Sequence, residues 1–319
     1  MTLLSRLKDI KAKNEEPGKV QIPQKKSPLD LGGVEINNSF GNYYLIEKEY
    51  SLANLTFPAV SKELLTRNLR LLQGIGPVTE REMREQGIDN INQLSGEVRW
   101  QYEVEIVSEC ILKGKIKELR RRGACDYELL SFFKKDDLVF LDIESTGLWA
   151  NQPLFLVGIL YKDGGKLKLQ QYLARNLQEE KPLLADLYKK LRNFKVMVTY
   201  NGKKFDAPYI EGRWVEHRFF YRLKHYQIDL LYHARRHFKG KFPNCRLITL
   251  EEYLLNFKRE GDIPGYLIPQ TYYKFVKSGD PALIKDIIRH NALDLVSLAR
   301  VLYIVQPCIN AKDFIAATK

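Results

Sequence analysis

The sequence lacks the features of membrane-spanning and disulfide-stabilised proteins. Only four of the 319 residues are cysteines (Cys110, Cys125, Cys245 and Cys308), and none of them forms a CxxC pair. Neither a disulfide framework nor a cysteine zinc site is therefore indicated. No apolar run reaches the length of a bilayer span, and the N-terminus lacks the continuous apolar core of a signal peptide. We therefore expect a reduced, cytoplasmic protein without a membrane partner.

Several cofactor and catalytic motifs are also missing. The sequence contains no Walker loop, no Rossmann glycine fingerprint and no nucleophile elbow, so we expect no nucleotide cofactor. What it has in excess is positive charge, with 51 Lys and Arg against 39 Asp and Glu and a formal net charge of +12. Its 45% hydrophobic and 28% charged residues are typical of a globular protein. The charge balance favours a polyanionic partner such as nucleic acid.

Composition and periodicity divide the chain into three parts. Residues 1–33 predict an N-terminal helix followed by a flexible tether rich in Lys, Glu, Pro and Gly. Residues 34–134 predict a smaller, mainly helical domain, with two short β-like runs at its start. Residues 135–319 open with three strand-like runs, followed by a helix, a strand and further helices. The order βββαβα predicts an α/β fold with a mixed sheet and flanking helices.

The helical domain contains a glycine turn, in which a helix ends at Gly74 and Pro77 is placed to begin the next one. With Gly76, this turn resembles a helix-hairpin-helix motif, which presents backbone N–H groups to a nucleic-acid phosphate. The alternative is an ordinary helical corner with a glycine cap. A basic run nearby is either a solvated helix face or, as its position favours, a contact for the phosphate backbone. The run comprises Lys113, Lys115, Lys117, Arg120, Arg121 and Arg122.

Acidic residues at the ends of predicted strands carry most of the functional signal. Asp142 and Glu144 follow the apolar run 138–141, and alternate residues of a strand point to the same face. Asp206 opens a predicted helix after the strand at 196–200. Carboxylates are rarely buried without a partner, so a shared cation is the simplest compensation.

A fourth carboxylate lies on a predicted C-terminal helix. His290 and Asp294 are four residues apart and therefore neighbours on one helix face. At about 100° per residue, both fall on the edge of the apolar stripe to which Asn291 belongs. We expect them to be half-buried where the helix meets the sheet.

Taken in order, these motifs resemble those of the DEDD exonuclease superfamily, which has the ribonuclease H-like fold. Asp-Ile-Glu-Ser-Thr-Gly at 142–147 matches the first family motif, and Asn-Gly-Lys-Lys-Phe-Asp at 201–206 matches the second. His-Asn-Ala-Leu-Asp at 290–294 matches the third with a variation. The resemblance covers about residues 136–305. Two further segments resemble YprB-type ribonuclease H-like proteins, namely 228–232 and 262–269.

The resemblance implies a nuclease that hydrolyses DNA or RNA with two Mg²⁺ or Mn²⁺ ions, which prefer oxygen ligands. It implies that Asp142 bridges both ions, that Glu144 and Asp294 hold one of them, and that Asp206 acts on the other. His290 would take the proton of the attacking water. Its four-residue distance from Asp294 is the spacing of the tyrosine-type members, whereas histidine-type members use five. The placement of the base therefore departs from the family pattern.

Residues next to the second motif are candidate nucleic-acid contacts, namely Asn201, Lys203, Lys204 and Phe205. The stretch 213–246 interleaves basic and aromatic residues, a mixture that suits single-stranded nucleic acid, although many of these aromatic residues are expected in the core. The favoured function is a 3′–5′ exonuclease. The alternatives are a non-catalytic nucleic-acid-binding protein that keeps the fold, and a structure-selective endonuclease on the same metals.

Overall fold

The computed structural model describes residues 31–51 and 60–305. The predicted N-terminal helix and most of the tether fall on residues 1–30, outside the described residues. Along the described parts, none of the helices combines the length and the apolar character needed to cross a membrane.

A mixed β-sheet organises the part of the chain that the structure describes. Its strands are β1 (Gly33–Asn38), β2 (Gly41–Ser51), β3 (Leu138–Ser145), β4 (Leu154–Asp163), β5 (Lys166–Leu173), β6 (Val196–Thr199) and β7 (Tyr226–Asp229). Their order across the sheet is β1-β2-β5-β4-β3-β6-β7. The pairs from β1 to β3 are antiparallel, whereas β3, β6 and β7 run parallel. The carboxyl ends of these three parallel strands therefore meet at one edge of the sheet.

Helices flank the sheet and fill the segment between β2 and β3. The helices of that segment are α1 (Glu63–Arg67), α2 (Pro77–Glu85), α3 (Gln101–Leu112), α4 (Ile116–Arg121) and α5 (Asp126–Leu130). Those that follow β5 are α6 (Glu180–Leu191), α7 (Asp206–Glu216), α8 (Leu230–Phe238), α9 (Leu247–Leu254), α10 (Ile268–Ser278) and α11 (Pro281–Ile304).

The predicted fold class is confirmed, since β3, β4, β5, α6, β6 and α7 follow one another in the order βββαβα. Strand β7 was missed. Its four residues, Tyr-Gln-Ile-Asp, are too few to show an alternating pattern.

Strands β1 and β2 belong to this same sheet, although the sequence grouped them with helical residues 34–134. Strand β2 pairs with β5 from Tyr44 opposite Leu173 to Ser51 opposite Lys166. Local alternation can indicate a strand, but the partner of that strand lies more than a hundred residues away and is set by the fold.

Two hydrophobic clusters underlie these elements. The sheet cluster includes Phe140 of β3 and Leu295 of α11, both fully buried. The helical segment has its own cluster, which includes Leu69 and Trp100. Helix α11 packs across β3 and β4, and this packing places its polar residues beside the end of β3.

Candidate active site

Two carboxylates project from the end of β3. Glu144 is 9% exposed and Asp142 is half-buried. The pairing of β3 with β4 shifts register between Glu144 and Ser145, so the ladder ends just beyond the second carboxylate. Burial, followed by the charges of Asp294 and the other nearby carboxylates, raises the pKa of Asp142 and of Glu144 well above the usual range. The site thus concentrates negative charge where water is scarce.

A third carboxylate, Asp206, enters from the first residue of α7 and is 4% exposed. Burial raises its pKa to about 7, helped by the charges of Asp229 and Asp294 and opposed by the backbone of Asp206 itself and of Ile143. Because Ile143 lies between Asp142 and Glu144 on β3, the carboxylate of Asp206 lies near the strand that carries the other two carboxylates.

The turn before Asp206 is shaped by two unusual positions. Asn201 has a left-handed φ of 65°, a conformation that asparagine tolerates better than most residues. A Cβ at Gly202 would lie 2.4 Å from the side chain of Thr199, so only glycine fits there. The buried carboxylate of Asp229, at the end of β7, accepts hydrogen bonds from the backbone N–H groups of Asn201 (2.8 Å) and Lys203 (3.2 Å). Asp229 therefore holds the turn.

Beside α11, an arginine in the chain that follows α9 takes a central place, and the sequence interpretation did not identify it. The Arg259 side chain is 3% exposed and donates to Glu251 at 2.7 Å, to Asp262 at 2.9 Å and to Asp294. His290 Nδ1 lies 2.9 Å from Asp262 Oδ2, and its Nε2 lies 3.8 Å from Asp294 Oδ2. Burial raises the pKa of Asp294, against the opposite effect of Arg259 and His290.

An amide network fixes Asp142 from the side of α11. The fully buried Asn291 donates from Nδ2 to Asp142 Oδ2 at 2.8 Å and accepts at Oδ1 from Gln171 Nε2 at 2.9 Å. Gly158 stands between Asp142 and Gln171 in the sheet. A Cβ there would lie 2.0 Å from Asn291 Oδ1, so the missing side chain makes room for the amide. The signal in the sequence was a single asparagine in an otherwise apolar helix stripe.

The structure brings the four predicted carboxylates within electrostatic reach of one another, with His290 beside Asp294. Of the predicted nucleic-acid contacts, Asn201 and Lys204 are exposed next to this cluster. Lys203 is half-buried, with its ammonium 5.9 Å from the ring centroid of Tyr232.

The predicted glycine turn lies in the helical segment, beside that segment's own core. Gly74 has a left-handed φ of 93°, and a Cβ there would lie 3.5 Å from Trp100. Gly76 precedes Pro77 at the start of α2, no side chain caps this helix, and the space around the Gly76 Cβ position is open. The short helix before the turn is a 3₁₀-helix at 69–71 rather than one that ends at Gly74.

Within residues 31–51 and 60–305, no group of three or more His, Cys, Asp or Glu side chains is arranged to hold a metal ion as it stands. The chemistry of the cluster nevertheless fits a hard divalent cation, because its donors are carboxylate oxygens. Burial and mutual repulsion raise the pKa values of Asp142, Glu144 and Asp206, although Arg259 is hydrogen-bonded to Asp294. The first finding concerns the spacing of the side chains, whereas the raised pKa values concern the electrostatic cost of their charge. For the choice of cofactor the donor chemistry is the more direct guide.

Comparison with known proteins points to the same region. A model of the RNase_H superfamily matches residues 139–306. The uncharacterized protein YprB of Bacillus subtilis (strain 168) is 35% identical over 172 residues, which make up 52% of this chain and 41% of that protein. The chain thus matches less than half the length of this curated relative. The structure of the family B DNA polymerase from the hyperthermophilic archaeon Pyrobaculum calidifontis gives a TM-score of 0.40 at 19% identity, over 52% of this chain and 24% of that one.

Proposed function

The chain belongs to the RNase_H superfamily, and from this premise we propose that it is a metal-dependent nuclease acting as a 3′–5′ exonuclease on DNA or RNA. The observation that carries the proposal is the buried group of carboxylates at the end of β3 and the start of α7, whose pKa values are raised by burial and by one another. Such an arrangement costs stability unless a cation binds. A protein that only binds nucleic acid has no need of it.

In this proposal Asp142, Glu144, Asp206 and Asp294 hold two Mg²⁺ or Mn²⁺ ions, which would stabilise the charge on the attacking and leaving oxygens. Asn291 orients the Asp142 carboxylate through its 2.8 Å hydrogen bond. That contact fixes one oxygen of Asp142 before any substrate arrives.

His290 is the proposed proton acceptor for the attacking water. Its Nδ1 is anchored to Asp262, which is itself held by Arg259 at 2.9 Å. When Nδ1 carries the proton and donates to Asp262, Nε2 is left as the basic nitrogen on the side of Asp294. The Asp262 contact thus gives His290 a fixed orientation despite its unusual spacing from Asp294.

The nucleic-acid strand is proposed to approach over Asn201, Lys203, Lys204 and Phe205, which lie next to Asp206 in the chain. The helical segment would bind the backbone with the turn of Gly74 and Gly76. Support comes from the open start of α2, because N–H groups in the first turn of a helix favour a phosphate.

One observation favours a second candidate, a non-catalytic nucleic-acid-binding protein that keeps the fold. Asp294 is hydrogen-bonded to Arg259, so a side-chain cation already sits at one of the proposed metal ligands. In this candidate Arg259 is a permanent substitute for part of the metal charge.

An assay with Mn²⁺ and end-labelled DNA and RNA strands tests the proposal. We expect 5′-labelled linear strands to shorten stepwise from the 3′ end while closed circles stay intact. Asp294→Asn should lower kcat by about 10³-fold or more, because it removes charge stabilisation in the transition state. Asp286→Asn, on the exposed face of the same helix, is the matched control and should keep the wild-type rate.

Three results would count against the proposal. Cleavage of closed circles would indicate an endonuclease. Undiminished turnover by Asp294→Asn would remove the carboxylates from the reaction. Absence of Mn²⁺ and Mg²⁺ binding by calorimetry, together with absence of turnover, would favour the non-catalytic candidate.

A further inference from the structure

A second feature of the fold is a cavity of about 690 Å³ between the helical segment and the sheet. One wall is formed by Ile116 and Lys117 of α4, and the opposite wall includes Tyr188 of α6 and the chain from 222 to 226. The cavity is thus built jointly by the two parts of the protein that have separate hydrophobic clusters.

The cavity lies at the far end of the parallel strands from the carboxylates. Its lining includes Lys195, just before β6, and Tyr226, the first residue of β7. Val196 of β6 pairs with Leu138, where β3 begins, whereas Glu144 lies six residues further along β3. At about 3.3 Å per residue, the two sites are separated by about 20 Å along the strands.

In the basic run of the helical segment, every member except Lys117 forms an ion pair with a described residue. Arg120, Arg121 and Arg122 pair with Asp126, Glu118 and Glu103, and Lys113 and Lys115 share Glu109. Within the described residues Lys117 alone of this run has no acidic partner, and Lys117 is the member that lines the cavity. The neighbouring carboxylates are therefore already engaged by the other members.

The opposite wall shows the same pattern. Arg222 and Lys224 line the cavity, are exposed, and form no ion pair with a described residue. Lys195 is paired with Asp137 at 3.0 Å. The cavity thus presents four long cationic side chains that form no ion pair with a described residue, namely Lys117, Arg192, Arg222 and Lys224.

Aromatic rings supply much of the remaining lining, together with Leu191 and Leu223. Tyr188 stacks on Tyr221 with 3.6 Å between the ring centroids, and the guanidinium of Arg192 lies 5.7 Å from the centroid of Tyr188. Cations beside aromatic faces are the combination that binds a nucleic-acid strand without sequence preference. A purely solvated helix face would explain one such cation, but not four from three separate segments that line one cavity.

We propose that this cavity binds the phosphate backbone of a nucleic-acid strand whose end lies at the carboxylate cluster. This inference rests on the proposed function, because the strand that occupies the cavity is the substrate of the proposed nuclease. At 3.4 Å per stacked nucleotide step, about 20 Å corresponds to about six nucleotides. Substrates shorter than this reach the carboxylates without reaching the cavity, and longer ones reach both.

The test measures binding of a single strand of about 20 nucleotides in EDTA by fluorescence anisotropy, as a function of salt. The variant is Lys117→Gln/Arg222→Gln/Lys224→Gln. The matched control is Lys48→Gln/Lys277→Gln/Lys285→Gln, which removes the same charge from exposed lysines of β2, α10 and α11. Gels confirm that the strand stays intact, and thermal unfolding confirms that both proteins are folded.

We expect the cavity variant to bind about tenfold more weakly, with the slope of log K against log salt reduced by up to about 2, because about 0.7 is lost per phosphate contact on a single strand. The control variant should lose only a small part of its affinity and of its salt dependence. On a trinucleotide with Mn²⁺, the cavity variant should turn over at the wild-type rate, whereas kcat/KM for the long strand should fall.

Equal losses in the cavity variant and the control would overturn the proposal, because net charge alone would explain them. It would also be overturned if a free mononucleotide competed as well as the long strand, since the cavity would then bind nucleotides and not strands. If no protein hydrolyses any strand, the proposed function fails, but the binding difference in EDTA still decides whether the cavity contacts nucleic acid.

Discussion

Helix α7 contributes to two buried charged clusters, and in only one of them are the carboxylates paired with cationic side chains. Its first residue, Asp206, joins a group of carboxylates whose pKa values are raised. Two turns later, Arg213 meets Glu180 of α6 through hydrogen bonds of 2.7 and 2.6 Å, and His217 and the backbone N–H of Leu154 each add a contact at 2.8 Å. Every oxygen of Glu180 therefore has a partner.

The electrostatic outcome is opposite at the two clusters. Burial alone would raise the pKa of Glu180, but the hydrogen bonds from His217 and Arg213 lower it. At Asp206 burial and neighbouring negative charge prevail. A buried carboxylate that is fully paired maintains the fold, whereas a group of buried carboxylates with raised pKa values marks a candidate binding site.

The largest effect is expected at the satisfied cluster. Glu180→Gln leaves the Arg213 guanidinium buried without its counter-charge, so the free energy of unfolding should fall by about 3–5 kcal/mol. Urea unfolding would measure it, with Glu216→Gln on the exposed face of α7 as the control. A loss similar to that of the control would show that Glu180 and Arg213 are not a structural pair, and the comparison would fail.

At the carboxylate cluster the sign should reverse. Asp206→Asn should raise the free energy of unfolding in EDTA by about 4 kcal/mol at pH 8 and by about 1–2 kcal/mol at pH 5, because one unit of pKa shift corresponds to about 1.4 kcal/mol. The folded protein holds a proton on Asp206 up to about pH 7, whereas the unfolded chain releases it near pH 4. Wild-type stability relative to the variant therefore falls as the pH rises from about 4 to 7.

Divalent metal sharpens this second comparison. With Mg²⁺ at pH 8 the wild type should gain stability by ligand binding and Asp206→Asn should gain less. Because both proteins contain the same histidines, the difference between their stabilities cancels the contribution of histidines that titrate in the same pH range. A variant that is less stable than the wild type at pH 8 in EDTA would contradict the raised pKa of Asp206.

The smallest effect is expected at Gly158. Gly158→Ala places a Cβ against Asn291 Oδ1, so the amide must move and Asp142 loses its fixed orientation. We expect kcat to fall about tenfold, equivalent to about 1.4 kcal/mol, with a modest stability loss. Gly165→Ala, in the turn after β4, meets nothing within 4 Å and serves as the control. Equal kcat in the two variants would show that Asn291 does not position Asp142.

Local patterns were enough to predict the strands other than β7 and to single out the four carboxylates, because each motif lies at the end of an apolar run or on one face of a helix. They could not find Arg259, which meets Asp294 across 35 residues. Nothing in the sequence distinguishes this buried arginine from the many exposed ones. Gln171 was missed for the same reason, since its contact with Asn291 spans 120 residues. Burial of a polar side chain is set by tertiary packing, which periodicity does not report.

The pairing of β2 with β5 limits how this protein can be divided. The family match begins at residue 139, so a fragment cut to that match would lack β1 and β2. Strand β5 would then lose its partner from Lys166 to Leu173, and its free N–H and C=O groups would become an open template for other chains. We expect such a fragment to aggregate, whereas a protein that keeps residues 33–51 retains a covered edge. A preparation of the family-matched part alone therefore has to carry the hairpin of β1 and β2, which comes from residues 33–51.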